Sequence, residues 1–182
     1  LDNMTFVKAL LGYSGYKNKT ARLNGVDIRA EGEAEGSLTQ AALLSGFRFP
    51  VFGSGLLETE IGARLDILRQ KAFEEKGGAL AWKADKLSET TPVGLLNVRL
   101  TQPLNDKTAL FGFAGVEHDF KKRDYALTGM FKGANQARGK TGAWDMPQTR
   151  WNAGLGIRAE LGRGWSAFGN YEHTGSSRYK SN

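Results

Sequence analysis

The sequence predicts an all-β fold, an antiparallel up-and-down transmembrane β-barrel, and three observations carry that prediction. The first is strict alternation. Trp151, Ala153, Leu155, Ile157, Ala159 and Leu161 share one side of a ribbon, and Asn152, Gly154, Gly156, Arg158 and Glu160 the other, which is the period of a strand between two different environments. The second is an alternation of short and long connections, which in an up-and-down sheet gathers every short turn at one end. The third is composition. The 182 residues include 24 Gly, 4 Pro and no Cys, and the mean hydropathy is −0.42. Without cysteine there are no disulfides and no thiolate metal sites. No stretch approaches the roughly 18–20 apolar residues of a membrane helix, so any crossing is made by strands. The start, Leu1-Asp2-Asn3-Met4, lacks the basic and apolar regions of a signal peptide.

Taken in order, residues 5–16 place Val7, Ala9, Leu11 and Tyr13 opposite Phe6, Lys8, Leu10, Gly12, Ser14 and Tyr16. Residues 36–49 oppose Thr39, Ala41, Leu43, Ser45, Phe47 and Phe49 to Gln40, Ala42, Leu44, Gly46 and Arg48. The cleanest ribbon is 57–67, with Leu57, Thr59, Ile61, Ala63, Leu65 and Ile67 against Glu58, Glu60, Gly62, Arg64 and Asp66. A helix competes at its far end, where Leu65, Leu68 and Ala72 have helical spacing and Gly77-Gly78 is a stop. The expectation is strand to about Gln70, then a short helical turn. Leu96, Val98 and Leu100 oppose Asn97, Arg99 and Thr101 in 91–102. In 108–120, Glu117 and Asp119 are in phase with Phe111 and Phe113. Residues 165–174 set Trp165, Ala167, Gly169, Tyr171 and His173 against Ser166, Phe168, Asn170, Glu172 and Thr174.

Pro50–Gly55, Pro103–Lys107 and Gly162–Gly164 have tight-turn chemistry, whereas 17–35, 71–90 and 121–149 are long and polar. Outer-membrane barrels show this asymmetry, with short periplasmic turns and long extracellular loops. The net charge of +6 is concentrated in Lys121, Lys122, Arg123, Lys132, Arg138, Lys140 and Arg150, against Asp124 and Asp145. That stretch reads as one exposed basic loop suited to an anionic surface such as lipid phosphates, or as a solvated loop. Its aromatics are too irregular for a nucleic-acid face.

The same alternation suits a soluble barrel with its apolar face inward and a membrane barrel with its apolar face outward. Small apolar-face residues (Ala63, Ala153, Ala159) and mixed charge within one strand favour the second. On that reading Glu58, Glu60, Arg64, Asp66, Arg99, Arg158, Glu160 and Glu172 face a polar lumen. Leu57, Ile61, Leu65, Leu155 and Ile157 face lipid, with Phe47, Phe49, Trp151, Trp165 and Tyr171 as an aromatic girdle near strand ends. Ile61→Arg is then costly, and Gly62→Arg mainly obstructs the lumen.

"WNAGLGIRAELGRGWSAFGNYEHTGSS" (151–177) resembles the penultimate hairpin of the C-terminal translocator domain of autotransporters, the type V secreted proteins: a Gly-alternating strand, a tight turn, and a strand opening on Gly-Trp-Ser. "ALFGFAGVEHDF" (109–120) resembles the strand before it. The resemblance implies a twelve-stranded outer-membrane barrel with a lumen helix leading to a secreted passenger. Its partners would be lipid and lipopolysaccharide, the passenger or linker helix, and the outer-membrane assembly machinery. In self-cleaving members lumen acids assist cleavage of the linker. Seven strands are visible, with neither the terminal strand and its closing aromatic nor the lumen helix. Residues 1–182 are therefore expected to be a single barrel domain incomplete at both ends. The alternatives are a porin-like or adhesin-like barrel without a passenger and a soluble barrel binding a small apolar ligand.

No catalytic or metal site is expected, and no cofactor. Only His118 and His173 are available, and Glu117 and Asp119 point away from His118 in a strand. A membrane phospholipase needs Ser, Asn and His together on the outer wall, but Ser166 and Asn170 face away from His173.

Overall fold

The computed structural model describes residues 4–23, 29–78, 80–123, 125–133, 138–141 and 146–176. In chain order its strands are β1 (Thr5–Leu23), β2 (Arg29–Val51), β3 (Gly55–Gln70), β4 (Phe73–Glu74), β5 (Trp82–Ala84), β6 (Leu87–Asn105), β7 (Thr108–Asp119), β8 (Leu127–Phe131), β9 (Arg138–Thr141), β10 (Thr149–Gly162) and β11 (Trp165–Ser176). Seven of them form one antiparallel sheet in the order β1-β2-β3-β6-β7-β10-β11. These are the seven ribbons that alternation predicts.

Paired residues in a sheet lie on the same face, so the register sorts side chains into rows. Val7, Ser45, Ile61, Leu96, Val116, Trp151 and Gly175 form one continuous row across all seven strands. One residue further on, Lys8, Leu44, Gly62, Leu95, Glu117, Arg150 and Ser176 form the next row, on the opposite face. A slip by one position would exchange the two. Tight turns lock the register. Arg163 and Gly164 both have positive φ, 52° and 79°, as a type I′ hairpin turn demands. The Phe52-Gly53-Ser54 turn likewise uses positive φ at Phe52 and Gly53.

The strands run beyond the predicted bounds at the long-loop end. β1 continues to Leu23 and β2 begins at Arg29, so 17–23 and 29–35 pair as strand, and β6 begins at Leu87 rather than near residue 91. Ala30, Gly32, Ala34 and Gly36 here alternate with Glu31, Glu33 and Glu35, a small-against-charged pattern that carries no apolar face. β3 holds to Gln70, and the connection after it contains short strands where a helical turn was expected.

Those short strands correct the picture of the long loops. β4, β5, β8 and β9 form a second, four-stranded sheet from the connections after β3 and β7. The basic stretch is thus in part ordered structure. Lys132 pairs with Glu74, and Arg138 with Asp85. The sheet closes over Trp82, whose ring meets Phe131 edge-on at 4.9 Å. It docks on the small residues of β2: Lys76 and Glu31 exchange backbone hydrogen bonds of 2.7 and 2.8 Å, and a Cβ on Gly32 would lie 2.9 Å from the Glu75 side chain. Glu75 is buried at the joint, accepting 2.7 Å from Arg22 Nη2 and 2.8 Å from the Trp82 backbone N–H.

Burial pushes the Glu75 carboxyl up, but the Arg22 guanidinium and the Trp82 N–H outweigh it and hold the group below its ordinary value of 4.5. A carboxyl depressed on folding stabilises the folded state above its unfolded pKa and loses that contribution as pH falls through the folded value. Protection of the Trp82 amide against hydrogen exchange is therefore expected to be unchanged from pH 8 down to the ordinary carboxyl value of 4.5 and to fall only at more acid pH, as the depressed group takes up its proton. In Glu75→Gln that fall should be absent.

Candidate functional site

The sheet separates two surfaces of different chemistry. On the surface carrying Lys8, Arg64 and Glu117, ion pairs reach over an intervening strand. Lys8 of β1 pairs with Glu60 of β3 across β2. Arg64 of β3 binds Glu117 of β7 across β6, with both terminal nitrogens donating at 2.9 and 3.0 Å. Side chains meet over a strand only where the sheet curls toward them, so this is the concave face.

Near its long-loop end the concave face holds a closed ionic cluster. Asp66 accepts from Gln40 at 2.9 Å, Arg64 at 2.8 Å and Arg123 at 2.8 Å. Asp119 binds two guanidiniums: Arg123 donates from Nε at 2.6 Å and from Nη2 at 2.9 Å, and Arg150 donates at 2.9 and 2.8 Å. Arg123 also donates to Tyr125 Oη at 3.0 Å. Asp66 and Asp119 are only 4% and 1% exposed. Arg123 comes from the connection after β7, so the cluster ties that segment to the inner wall.

Toward the short turns the charges are looser. Arg48 donates to Glu58 at 2.8 Å and lies 4.5 Å over the Phe6 ring, and Arg99 lies 5.1 Å over Phe111. Asn152 donates to Glu172 at 2.9 Å. Arg158 and Glu160 approach only to 4.0 Å and stay largely exposed. The eight residues expected on the polar face thus share it, but only Arg64 and Asp66 belong to the cluster. Glu117, Asp119, Arg123 and Arg150 complete it. Glu117 and Asp119 are in phase with that face in the sequence; Arg123 and Arg150 lie in the stretch that reads as a basic loop, although Arg150 is also in phase with Asn152 and Gly154.

The other surface is apolar and bare. Leu11, Ile61 and Leu155 are 90%, 64% and 67% exposed, and Phe47, Phe49, Leu65, Trp151, Ile157, Trp165 and Tyr171 are exposed with them. Leu57, half-buried, lies in the same rows. Tyr171 pairs with Leu155 midway along β11 and not near an end. The buried apolar cluster, Leu44, Val93 and Leu95 with Ala42 against it, lies on the concave face. The dry interior that a soluble barrel would build from Leu57, Ile61, Leu155 and Ile157 is not what these residues form.

His118 contacts Thr149 Oγ1 at 2.9 Å and the Phe120 ring, and His173 packs against Trp151. Both are on the apolar face, away from Ser166 and Asn170. Gly62 needs a correction as well: an added Cβ would lie 2.2 Å from the Leu43 carbonyl oxygen, so Gly62→Arg would displace the sheet before it obstructed anything. At Gly12, on the same face, an added Cβ would make only ordinary contact, its nearest atoms 3.8 Å away on Gln40.

The profile of the family described as "Autotransporter beta-domain" matches residues 1–172. The chain is 48% identical over 174 residues to the Neisserial autotransporter lipoprotein NalP of Neisseria meningitidis serogroup B, in strain MC58 and equally in strain H44/76. The match covers 96% of this chain and 16% of that protein, so the chain spans about one sixth of the length of these relatives. Among solved structures, the translocator domain of autotransporter NalP from Neisseria meningitidis superimposes with a TM-score of 0.77 at 40% identity, covering 96% of this chain and 56% of that one.

Removing one member of a buried ion pair leaves its partner uncompensated and costs about 3–5 kcal/mol. Asp119→Ala removes a carboxylate shared by Arg123 and Arg150 and leaves them Asp66 and Glu117 as remaining partners, so it is expected to lower unfolding stability by about the lower end of that range. Arg123→Gln should cost less and should loosen the segment after β7. Urea titration followed by the folded-to-unfolded mobility shift on unheated gels checks both.

Proposed function

Because this chain belongs to the autotransporter β-domain family, whose translocators are outer-membrane β-barrels, we propose that its convex face meets lipid and its concave face lines the conduit for a passenger polypeptide. Glu58, Glu60, Arg64, Asp66, Arg99, Arg158, Glu160 and Glu172 take the lumen side. Phe47, Phe49, Leu57, Ile61, Leu65, Trp151, Leu155, Ile157, Trp165 and Tyr171 take the lipid side. The observation that carries this reading is the division of the sheet: charges paired across strands on one face, and large exposed apolar side chains, without such ion pairs across a strand, on the other.

The domain acts by shape and electrostatics and performs no catalysis. It moves or anchors a passenger, and the outer-membrane assembly machinery inserts it. Among the described residues β1 pairs only with β2, and β11 only with β10. Hydrocarbon leaves no backbone donor or acceptor unpaired at tolerable cost, so further strands of the same domain flank both edges and close the barrel. The family match favours this over a porin-like or adhesin-like barrel without a passenger.

Two substitutions separate the faces. Ile61→Arg is expected to cost about 2–4 kcal/mol of folding stability in lipid vesicles, as for a cation near the bilayer midplane. Unchanged stability there overturns the facing. Gly12→Arg, whose Cβ meets no clash, should leave folding intact while reducing the fraction of passenger accessible to external protease on whole cells. Undiminished display overturns the conduit.

A further inference from the structure

On β1, β3 and β6, with β2 between the first two, the convex face changes from apolar to cationic at one level. β3 runs Leu57, Thr59, Ile61, Ala63, Leu65, Ile67 and then Arg69, with Lys71 just beyond its end. β1 runs Val7, Ala9, Leu11, Tyr13 and Gly15 and then Lys17. β6, descending, passes from Ser88 and Thr90 to Leu96, Val98 and Leu100, and Lys86 immediately precedes it. The register puts Gly15, Ser37, Arg69 and Ser88 in one row, directly above the row of Tyr13, Thr39, Ile67 and Thr90. The eleven positions from Leu57 to Ile67 at about 3.3 Å each, tilted as barrel strands are, span the roughly 25 Å height of a barrel's apolar band. The cations therefore begin at the outer-leaflet headgroups.

These residues enclose a groove of about 850 Å³ whose lining includes Lys17, Glu35, Arg69, Lys71 and Lys86. Four cations line the groove with one carboxylate, Glu35, and Glu33 beside it is a second partner of Lys17. Lys71 donates to Glu35 at 2.9 Å, and Lys17 approaches the same group at 3.3 Å. Arg69 and Lys86 are exposed and make no ion pair among the described residues. Ser37 and Ser88 supply hydroxyls between them.

We propose that this groove binds the phosphorylated headgroup of an outer-leaflet glycolipid, with Arg69 and Lys86 as its principal phosphate ligands and the acyl chains lying on Leu11, Leu65 and Leu96 below. The proposal rests on the convex face meeting lipid. An arginine fork and a lysine point charge set above an apolar wall match a phosphate attached to hydrocarbon, and a free anion has no use for the wall.

The test is glycolipid capture by the full translocator in phosphatidylcholine nanodiscs doped with bisphosphorylated lipid A, read by native mass spectrometry of the released barrel. Insertion is scored in the same sample by resistance to protease. Arg69→Gln/Lys86→Gln is expected to insert normally and to retain about ten- to thirty-fold less lipid A than the unaltered barrel. Dephosphorylated lipid A should be retained poorly by both, and inorganic phosphate should neither bind nor compete at millimolar concentration. Equal retention by the variant, or equal retention of dephosphorylated lipid A, overturns the site, and competition by inorganic phosphate reassigns it to soluble anions and overturns the glycolipid. An unaltered barrel that fails to insert overturns the facing on which the proposal stands.

Discussion

A backbone in hydrocarbon has no water to bond, so each of its N–H and C=O groups must find a partner within the protein. Long strands held in unbroken antiparallel register meet that demand, and the side-chain pattern follows from it. Once the ladder is fixed, odd and even residues are committed to opposite surfaces. The row through Val7, Ile61 and Trp151 and the row through Lys8, Glu117 and Arg150 are consequences of one register. The tight turns at Phe52–Ser54 and Arg163-Gly164 matter for the same reason, because a one-residue error there would carry every charge to the wrong side.

The concave face solves a different problem. A single-layer sheet has little core, and the buried apolar cluster of Leu44, Val93 and Leu95 is small. Much of the cohesion across nonadjacent strands is ionic. Guanidiniums suit this task because a planar fork binds two oxygens at once, as Arg64 does on Glu117 and Arg150 on Asp119. Arg123 extends the arrangement beyond the sheet and fastens the connection after β7, so the outer rim and inner wall are mechanically joined. The second sheet adds another brace, with Trp82 and Glu75 seated against the small residues of β2.

The ribbon at 57–67 was legible because charge and hydrocarbon alternate there without interruption, and the hairpin at 151–174 because glycine and turn chemistry agree with the period. Residues 29–35 were not legible as strand. Their alternation is alanine and glycine against glutamate, which lacks the apolar stripe that signals a membrane wall and reads as solvated loop. β4, β5, β8 and β9 are two to five residues long, too short for a period to emerge. Their pairing is set by Trp82 and Phe131, nearly fifty residues apart. The cluster around Asp119 was half visible. The acids lay in phase with the polar face, but Arg123 enters from a segment with no phase at all, and only the folded connection brings it there.

The ionic cluster has as many guanidiniums as carboxylates, Arg64, Arg123 and Arg150 against Asp66, Glu117 and Asp119. Opposite charges at contact cancel beyond a few ångströms, so the wall at this level presents multipoles and no monopole. If the concave face lines a conduit as proposed, a thread sliding past it would meet here neither a trap for acidic stretches nor a barrier to basic ones. On the proposed facing, three guanidiniums against three carboxylates would make this level of the wall well braced without making it adhesive.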